Sequence, residues 1–197
     1  MEEMLMSTQK KMSIQTMALG AVLTALVVVL QFLGAFIRFG PFQISLVLAP
    51  IVIGAAVGGA GLGGWLGFVF GMVVLLNGDA AAFLAVNAVG TVITVLLKGT
   101  LCGVVAGKVY GLLSGKNKTA AVFGAALAAP VVNTGVFLLG CLLFFLNTIA
   151  AWGQAAGFGN VFEYRGFGLV GANFLVETAV NLVLAPVVVR LLKQRGL

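Results

Sequence analysis

The sequence is organised as long apolar runs that very few charged residues interrupt. Hydrophobic residues make up 61% of the 197 residues and charged residues only 8%, against roughly 45–50% and about 25% in soluble domains. A soluble domain of this size needs far more polar surface, because polar and charged side chains keep it in solution. The chain is therefore predicted to lie almost entirely in lipid.

The apolar runs divide the chain into about six candidate transmembrane segments within a single membrane domain, residues 1–197. The segments cover residues 14–36, 45–60, 62–76, 87–113, 119–146 and 168–192. A helix needs about 20 residues to cross the hydrocarbon, so the second and third segments are short. The predicted fold is an all-α integral membrane bundle, and the boundary between these two segments, near Gly59 to Gly61, stays open.

The basic residues indicate the orientation of the bundle. Counted on alternate sides of six spans, eight of the eleven Lys and Arg residues fall on one side. These eight are Lys10, Lys11, Lys108, Lys116, Lys118, Arg190, Lys193 and Arg195. Because cytoplasmic loops are enriched in Lys and Arg, both termini are predicted to be cytoplasmic. The same placement accounts for the net charge of +6 without a nucleic-acid partner.

Several classes of chemistry lack their usual residues in this sequence. It contains no His, the residue that most often acts as a general base or metal ligand near neutral pH. Cys102 and Cys141 lie far apart in apolar runs, without the paired spacing of a zinc site. Asp79 and Glu163 fall in different loops and make a poor catalytic pair. We therefore expect no enzyme activity, no metal and no cofactor, and no phosphate-binding loop provides an ATPase.

Small residues recur every four positions in three segments, a spacing that lets helices approach closely in lipid. Gly99, Gly103, Gly107 and Gly111 form one ladder, and Gly63, Gly67 and Gly71 form another. Both ladders are predicted to be buried against neighbouring helices. In the first segment Ala21 and Ala25 form an AxxxA motif, which suits either internal packing or an external partner helix.

Polar residues within the apolar segments follow two helical stripes. One stripe comprises Asn173, Glu177 and Asn181, and the other comprises Asn87, Thr91, Thr94 and Lys98. Polar groups at membrane depth usually face a bundle interior or a cavity, so the stripes are expected to face each other. Together with Asn133 they could line a cavity that binds a polar solute. The alternative is a structural ion pair between Lys98 and Glu177 that closes the bundle.

Three predicted outer loops offer further candidate ligand-binding residues. Arg38 lies in the first, Asn77 and Asp79 lie in the second, and Trp152, Tyr164 and Arg165 lie in the third. Aromatic side chains on a glycine-rich outer segment could cover a bound ligand. For Trp152 and Tyr164 the competing interpretation is an aromatic belt at the membrane interface.

The chain resembles the substrate-binding S-components of energy-coupling factor (ECF) vitamin transporters over nearly its whole length. The resemblance rests on the size, the six spans, the Ala21-x-x-x-Ala25 motif and the sequence from QFLGAFIRFGPF through LVLAPIVIGA to GGWLGFVFG. It implies a subunit of an ABC importer in the bacterial plasma membrane that captures a vitamin at the outer face. It also implies docking of Ala21 and Ala25 on a transmembrane T-component that is driven by two ATPase subunits.

The resemblance leaves the substrate open. Lys98, Arg38 and Arg165 are candidate partners for a carboxylate, which favours pantothenate, with riboflavin next. A stand-alone secondary transporter or channel is the alternative function, although the sequence shows no convincing internal repeat of the kind such folds often carry.

Overall fold

The computed structural model describes residues 14–34, 38–39, 42–43, 46–155, 157, 160 and 171–194. These residues form seven helices and one short β-ribbon. The helices are α1 (Ile14–Gly34), α2 (Leu48–Leu76), α3 (Ala81–Val86), α4 (Ala88–Ser114), α5 (Lys118–Phe144), α6 (Leu146–Ala155) and α7 (Ala172–Gln194). The ribbon pairs β1 (Arg38–Phe39) with β2 (Phe42–Gln43) in antiparallel register. An all-α membrane bundle is confirmed.

Five of these helices, α1, α2, α4, α5 and α7, are long and apolar enough to cross a membrane. From residue 48 onward the predicted segments 45–60 and 62–76 both fall within α2, which holds one residue of non-helical geometry, Gly59. Because the helix is broken there, α2 supplies two of the six predicted helical segments. The loops predicted between the spans contain two additional short helices, α3 and α6, that the apolar pattern did not indicate.

The break at Gly59 folds α2 back on itself. Its φ of 69° and ψ of −164° belong to a region that only glycine adopts readily. A Cβ atom on Gly63 would lie 2.9 Å from the Cβ of Ala55, although residues eight apart in a straight helix are about 12 Å apart. Residues 48–58 and 60–76 are therefore two arms of a hairpin, which we call the first arm and the second arm.

The first arm lies at the centre of the bundle. Leu48, Ile51, Val52 and Ala55 are all buried, and they share one core with side chains from α1, α4, α5 and α7. The arm is about 16 Å long, roughly half of the hydrocarbon thickness.

The second arm packs against α4 through both predicted glycine ladders. A Cβ atom on Gly67 would overlap the carbonyl oxygen of Gly99, and Gly63 has the same relationship with Gly103. Small residues permit this backbone-to-backbone contact. The prediction that the ladders are buried is confirmed except at Gly111, where a Cβ would meet nothing within 4 Å.

The two ends of the bundle contain different connecting elements. A hydrogen bond from Gln31 to Asp79 joins the end of α1 to the turn before α3. At the same end Gly90, near the start of α4, lies against Phe144 at the end of α5. The turn that carries Lys116 is at the opposite end. We call the end with α3 and α6 the outer end, following the orientation predicted from the basic residues.

Candidate functional site

A buried carboxyl group, that of Glu177 in α7, lies within the bundle. The Glu177 side chain is 2% exposed. Asn173, one turn earlier, donates from Nδ2 to Glu177 Oε1 at 3.2 Å. Asn181, one turn later, donates to the Glu177 backbone carbonyl at 2.8 Å. The polar stripe predicted on this helix is thus one hydrogen-bonded face.

Asn133 extends this group from α7 to α5. Its Nδ2 approaches Glu177 Oε2 at 3.5 Å, and its side chain is 6% exposed. Each carboxyl oxygen of Glu177 therefore accepts one amide hydrogen, from Asn133 on α5 and from Asn173 on α7. The residues that form this contact were predicted, since Asn133, Asn173 and Glu177 were all candidate binding residues.

Lys98 lies on the interior face of α4, the same face as the buried Thr91, Thr94 and Cys102. Its Nζ is 5.6 Å from the ring centroid of Phe70 and 5.4 Å from that of Phe137. An ammonium group at this distance from an aromatic ring is attracted by the ring quadrupole. The side chain remains partly exposed, although it points into the bundle.

Lys98 and Glu177 do not form the close ion pair that was the alternative interpretation of this region. Within the described part of the chain, no carboxylate oxygen lies within 4.0 Å of the Lys98 ammonium. The physical reason is that α5 packs between α4 and α7 and places Phe137, one turn after Asn133, against the Lys98 ammonium. We call Lys98, Asn133, Asn173 and Glu177 the central polar cluster.

Several polar atoms in and beside the central polar cluster have no hydrogen-bond partner among the described residues. They are Thr94 Oγ1, Asn133 Oδ1, Asn173 Oδ1, Thr178 Oγ1 and Asn181 Oδ1. Nearly all buried polar groups in folded proteins are hydrogen-bonded. The concentration of these atoms on α4, α5 and α7 therefore favours a binding site over a closed structural core.

An aromatic cluster adjoins the central polar cluster. The ring centroid of Phe83, on α3, lies 5.6 Å from that of Phe137, 5.0 Å from that of Phe145 and 5.4 Å from that of Trp152. All three contacts are edge-on, the geometry that aromatic pairs favour. Phe137 belongs to the aromatic cluster and also contacts Lys98, so α3 and α6 are linked through aromatic rings to the Lys98 ammonium.

Sequence reasoning identified Trp152 but missed Phe70, Phe83 and Phe137. A phenylalanine in an apolar segment carries no signal that separates a site residue from a core residue. The one available sign was that Phe137 follows Asn133 by four residues and so shares its helix face. Trp152 packs on Phe83 and is partly buried, which disfavours the aromatic-belt interpretation.

Asn87 and Thr91 have structural roles at the start of α4. Asn87 is the N-cap, and its Oδ1 accepts from the Gly90 backbone N–H at 2.9 Å. Thr91 Oγ1 donates to the Asn87 carbonyl at 2.7 Å. Capping by Asn stabilises a helix start. The side chains of Asn87 and Thr91 are thus both hydrogen-bonded to the backbone at the start of α4, unlike the ammonium group of Lys98 as far as the described residues extend.

Asn77 and Asp79 form a separate polar group at the outer end. Asn77 Nδ2 and Gln31 Nε2 donate to Asp79 Oδ2 at 2.6 Å and 2.7 Å. Gln31 is buried and was not among the predicted site residues. Its signal was a lone polar residue inside the first apolar segment. This group ties α1 to the turn before α3.

The remaining loop candidates fall elsewhere. Arg38 lies in β1, paired with Gln43 in the ribbon. Tyr164 and Arg165 lie outside the described residues. Among the described residues no group of three potential metal ligands occurs, and Cys102 and Cys141 are both buried.

Ala21 and Ala25 lie on the outward face of α1. Both are exposed, whereas Gly20, Leu23 and Val27 on the opposite face are buried. Internal packing, one of the two interpretations left open for the AxxxA motif, is therefore wrong. Beside this face, Trp65 Nε1 of the second arm donates to Thr24 Oγ1 at 3.1 Å.

Comparison with known proteins identifies a family. Residues 15–189 match the family model described as ECF transporter, substrate-specific component. The match covers most of the chain and includes every residue of the central polar cluster. No curated protein and no solved structure matches the chain.

Proposed function

Because the chain belongs to the substrate-specific components of ECF transporters, we propose that it binds a vitamin or related micronutrient in the central polar cluster. The family makes this chain a transport subunit that selects a small-molecule substrate. The proposal adds where that substrate binds. It also adds that capture occurs from the outer side of the cell membrane.

The observation that carries the proposal is the state of the central polar cluster. Within the described part of the chain, it combines a buried carboxyl group, an ammonium group with no carboxylate oxygen within 4.0 Å and amide oxygens without donors. Leaving such groups unpaired in a low-dielectric interior is costly. A polar ligand that binds all of them recovers this free energy, which is the usual logic of a specific site.

The aromatic cluster supports access from the outer end. Phe83 on the short helix α3 packs against Phe137, and Trp152 on the short helix α6 packs against Phe83. Short helices at one end of a bundle can move more readily than the spans that they connect. Opening of α3 and α6 would admit a ligand to Lys98 without disturbing the glycine interface between the second arm and α4.

The substrate is proposed to carry a carboxylate that binds Lys98. A charge-assisted hydrogen bond to a lysine is stronger than one between neutral groups. This requirement favours pantothenate over riboflavin, because riboflavin carries no carboxylate. The rings of Phe70 and Phe137 flank the Lys98 ammonium, and no carboxylate oxygen of the described residues lies within 4.0 Å of it.

The exposed face of Ala21 and Ala25 is proposed to dock on a T-component, which two ATPase subunits drive. The face is small and smooth, because neighbouring α1 residues such as Ala18 are also exposed and small. Helix association in lipid depends on close van der Waals contact, which small residues permit. The chain would thus use a partner for energy and would supply the selectivity itself.

Native mass spectrometry of the gently extracted full chain tests the binding proposal. We expect one small molecule per chain to be retained without added nucleotide, and we expect a matching vitamin to raise the thermal unfolding midpoint. If no ligand is retained and no member of a vitamin panel shifts the midpoint, the binding proposal is wrong. The docking proposal has its own test through variants of α1.

A further inference from the structure

The central polar cluster holds two ionisable groups of opposite charge that do not pair with each other. Lys98 lies between Phe70 and Phe137, while Glu177 accepts from Asn133 and Asn173. Both groups belong to the interior of one bundle, and only α5 separates their helices. Together they carry no net charge when each is ionised.

Near Glu177 the unpartnered amide atoms are all acceptors. The Nδ2 groups of Asn133, Asn173 and Asn181 all point to oxygen atoms of Glu177, so each Oδ1 faces away from it. This orientation is required, since an amide oxygen facing a carboxylate would be repelled. The three Oδ1 atoms have no donor among the described residues. What is missing at this position is a group with several N–H donors.

Near Lys98 the missing partner is an acceptor. The ammonium group has three donors and no acceptor of its own. Its described contacts are the two phenyl rings, which attract the positive charge but accept no conventional hydrogen bond. An anionic group of the ligand would complete the coordination of Lys98.

Charge balance then restricts the ligand. A ligand with a single negative charge would leave the cluster with one uncompensated negative charge, and a ligand with a single positive charge would leave the opposite excess. Burying an uncompensated charge is far more costly than burying a balanced set. A ligand with one group of each sign satisfies Lys98 and Glu177 together and adds no net charge.

We propose, building on the proposed function, that the substrate is a zwitterion whose carboxylate binds Lys98 and whose ammonium group binds Glu177 and the Asn133 and Asn173 amide oxygens. An ammonium group has the three donors that these acceptors require. Pantothenate meets the requirement at Lys98 only, because it has no cationic group. It is therefore the most informative comparison ligand.

The first experiment identifies the charged groups of the co-purified molecule by tandem mass spectrometry after release from the full chain. We expect a carboxylate and a basic amine in the same molecule. A bound ligand that has only one of these groups, or neither, would overturn the zwitterion proposal and leave the binding proposal intact. Complete absence of binding would instead reject the binding proposal, so the two failures are distinguishable.

The second experiment compares Glu177→Gln with the unaltered chain by calorimetric titration of the identified ligand and of pantothenate. The variant keeps one oxygen acceptor, and whichever Asn amide faces the new NH2 group can rotate to present its own oxygen, so folding should survive, and the thermal unfolding midpoint checks this. Loss of a buried charge partner should weaken binding of the identified ligand by at least about tenfold. Binding of pantothenate should not weaken. An affinity for the identified ligand that is unchanged or higher in the variant would contradict a cationic group at Glu177.

Discussion

Gly67 on the second arm and Gly99 on α4 face each other so closely that a Cβ atom on either would overlap the carbonyl oxygen of the other. The contact is between backbones, which cannot move aside as a flexible side chain can. It lies in the middle of a row in which Gly63 meets Gly103 and Gly71 meets Val95. This interface holds the second arm and α4 in one register and so fixes the position of Lys98.

Replacing Gly99 with alanine should therefore destabilise the protein. Overpacking in a tight core typically costs about 1–3 kcal/mol. The cost at Gly99 should lie at the upper end of this range, because the atoms that the new Cβ would meet belong to the backbone. Gly111→Ala is the matched control, because it lies in the same ladder with nothing within 4 Å. Thermal unfolding in detergent should show a lower midpoint for Gly99→Ala alone. Equal midpoints for the two variants would contradict the close contact.

A substitution at Gly59 should weaken the hairpin of α2. Its φ of 69° is strained for any residue with a Cβ atom, at a cost of about 1–3 kcal/mol. Gly61→Ala provides the comparison, since it too meets nothing within 4 Å but has no positive φ. We expect Gly59→Ala to lower the unfolding midpoint and Gly61→Ala to leave it unchanged or raise it. If α2 were straight at Gly59, the two variants should have similar unfolding midpoints.

Lys98→Met should reduce the affinity for the substrate and leave the fold intact. Methionine keeps the apolar length of the side chain but loses the charge-assisted hydrogen bond, worth about 1.5–3 kcal/mol, or roughly a tenfold to hundredfold change in Kd. Lys108→Met makes the same change on the exposed side of the same helix and should bind normally. Equilibrium titration with the ligand identified by mass spectrometry measures both. Similar affinities in the two variants would place the ligand elsewhere.

Phe137→Leu should weaken binding more mildly. The ring contributes to the position of the Lys98 ammonium and connects it to Phe83. Loss of a cation–π contact costs about 0.5–2 kcal/mol, so we expect a few-fold to roughly thirtyfold increase in Kd. Phe123→Leu on the exposed side of α5 is the control. Retention of full affinity by Phe137→Leu would show that the ring does not position Lys98.

Ala21→Trp and Ala25→Trp should abolish uptake while substrate binding persists. A large ring on the outward face of α1 would prevent close approach of a partner helix without touching the bundle core. Ala179→Trp makes the same replacement at an exposed position of α7. Vitamin uptake by cells and ligand binding by the purified chain should be measured for all three. Normal uptake by both α1 variants would rule out this docking face.

Much of the fold could be predicted because lipid imposes strong rules on a sequence. Backbone groups in hydrocarbon must be satisfied within helices, so long apolar runs identified the spans to within a few residues. The glycine spacing likewise predicted two close-packed faces. The spacing did not show that these two faces pack against each other. A glycine ladder indicates that some helix can approach closely, but it does not indicate which helix. The hairpin at Gly59 was also open, since glycine allows both continuation and reversal.

The candidate site was predicted less completely than the fold. Helical spacing placed Asn173, Glu177 and Asn181 on one face, and the structure shows that Asn133, also a predicted site residue, donates to the same carboxyl group. Spacing left open whether Lys98 pairs with Glu177 or faces a cavity, and the structure shows no close pair between them. Depth in the membrane follows from the position along a helix, but the distance between two helices depends on what packs between them, which here is α5 with Phe137.

The sequence by itself determined that this protein is a helical membrane bundle, where its spans lie and which polar residues lie within them, because hydrophobicity and helical period are local properties of the chain. Only the tertiary structure decided that Ala21 and Ala25 face outward, that Gly67 meets Gly99 and that Lys98 lies between two phenyl rings. These relationships depend on which helices are neighbours and on how each is rotated about its axis. Both are settled by packing between residues that are distant in sequence.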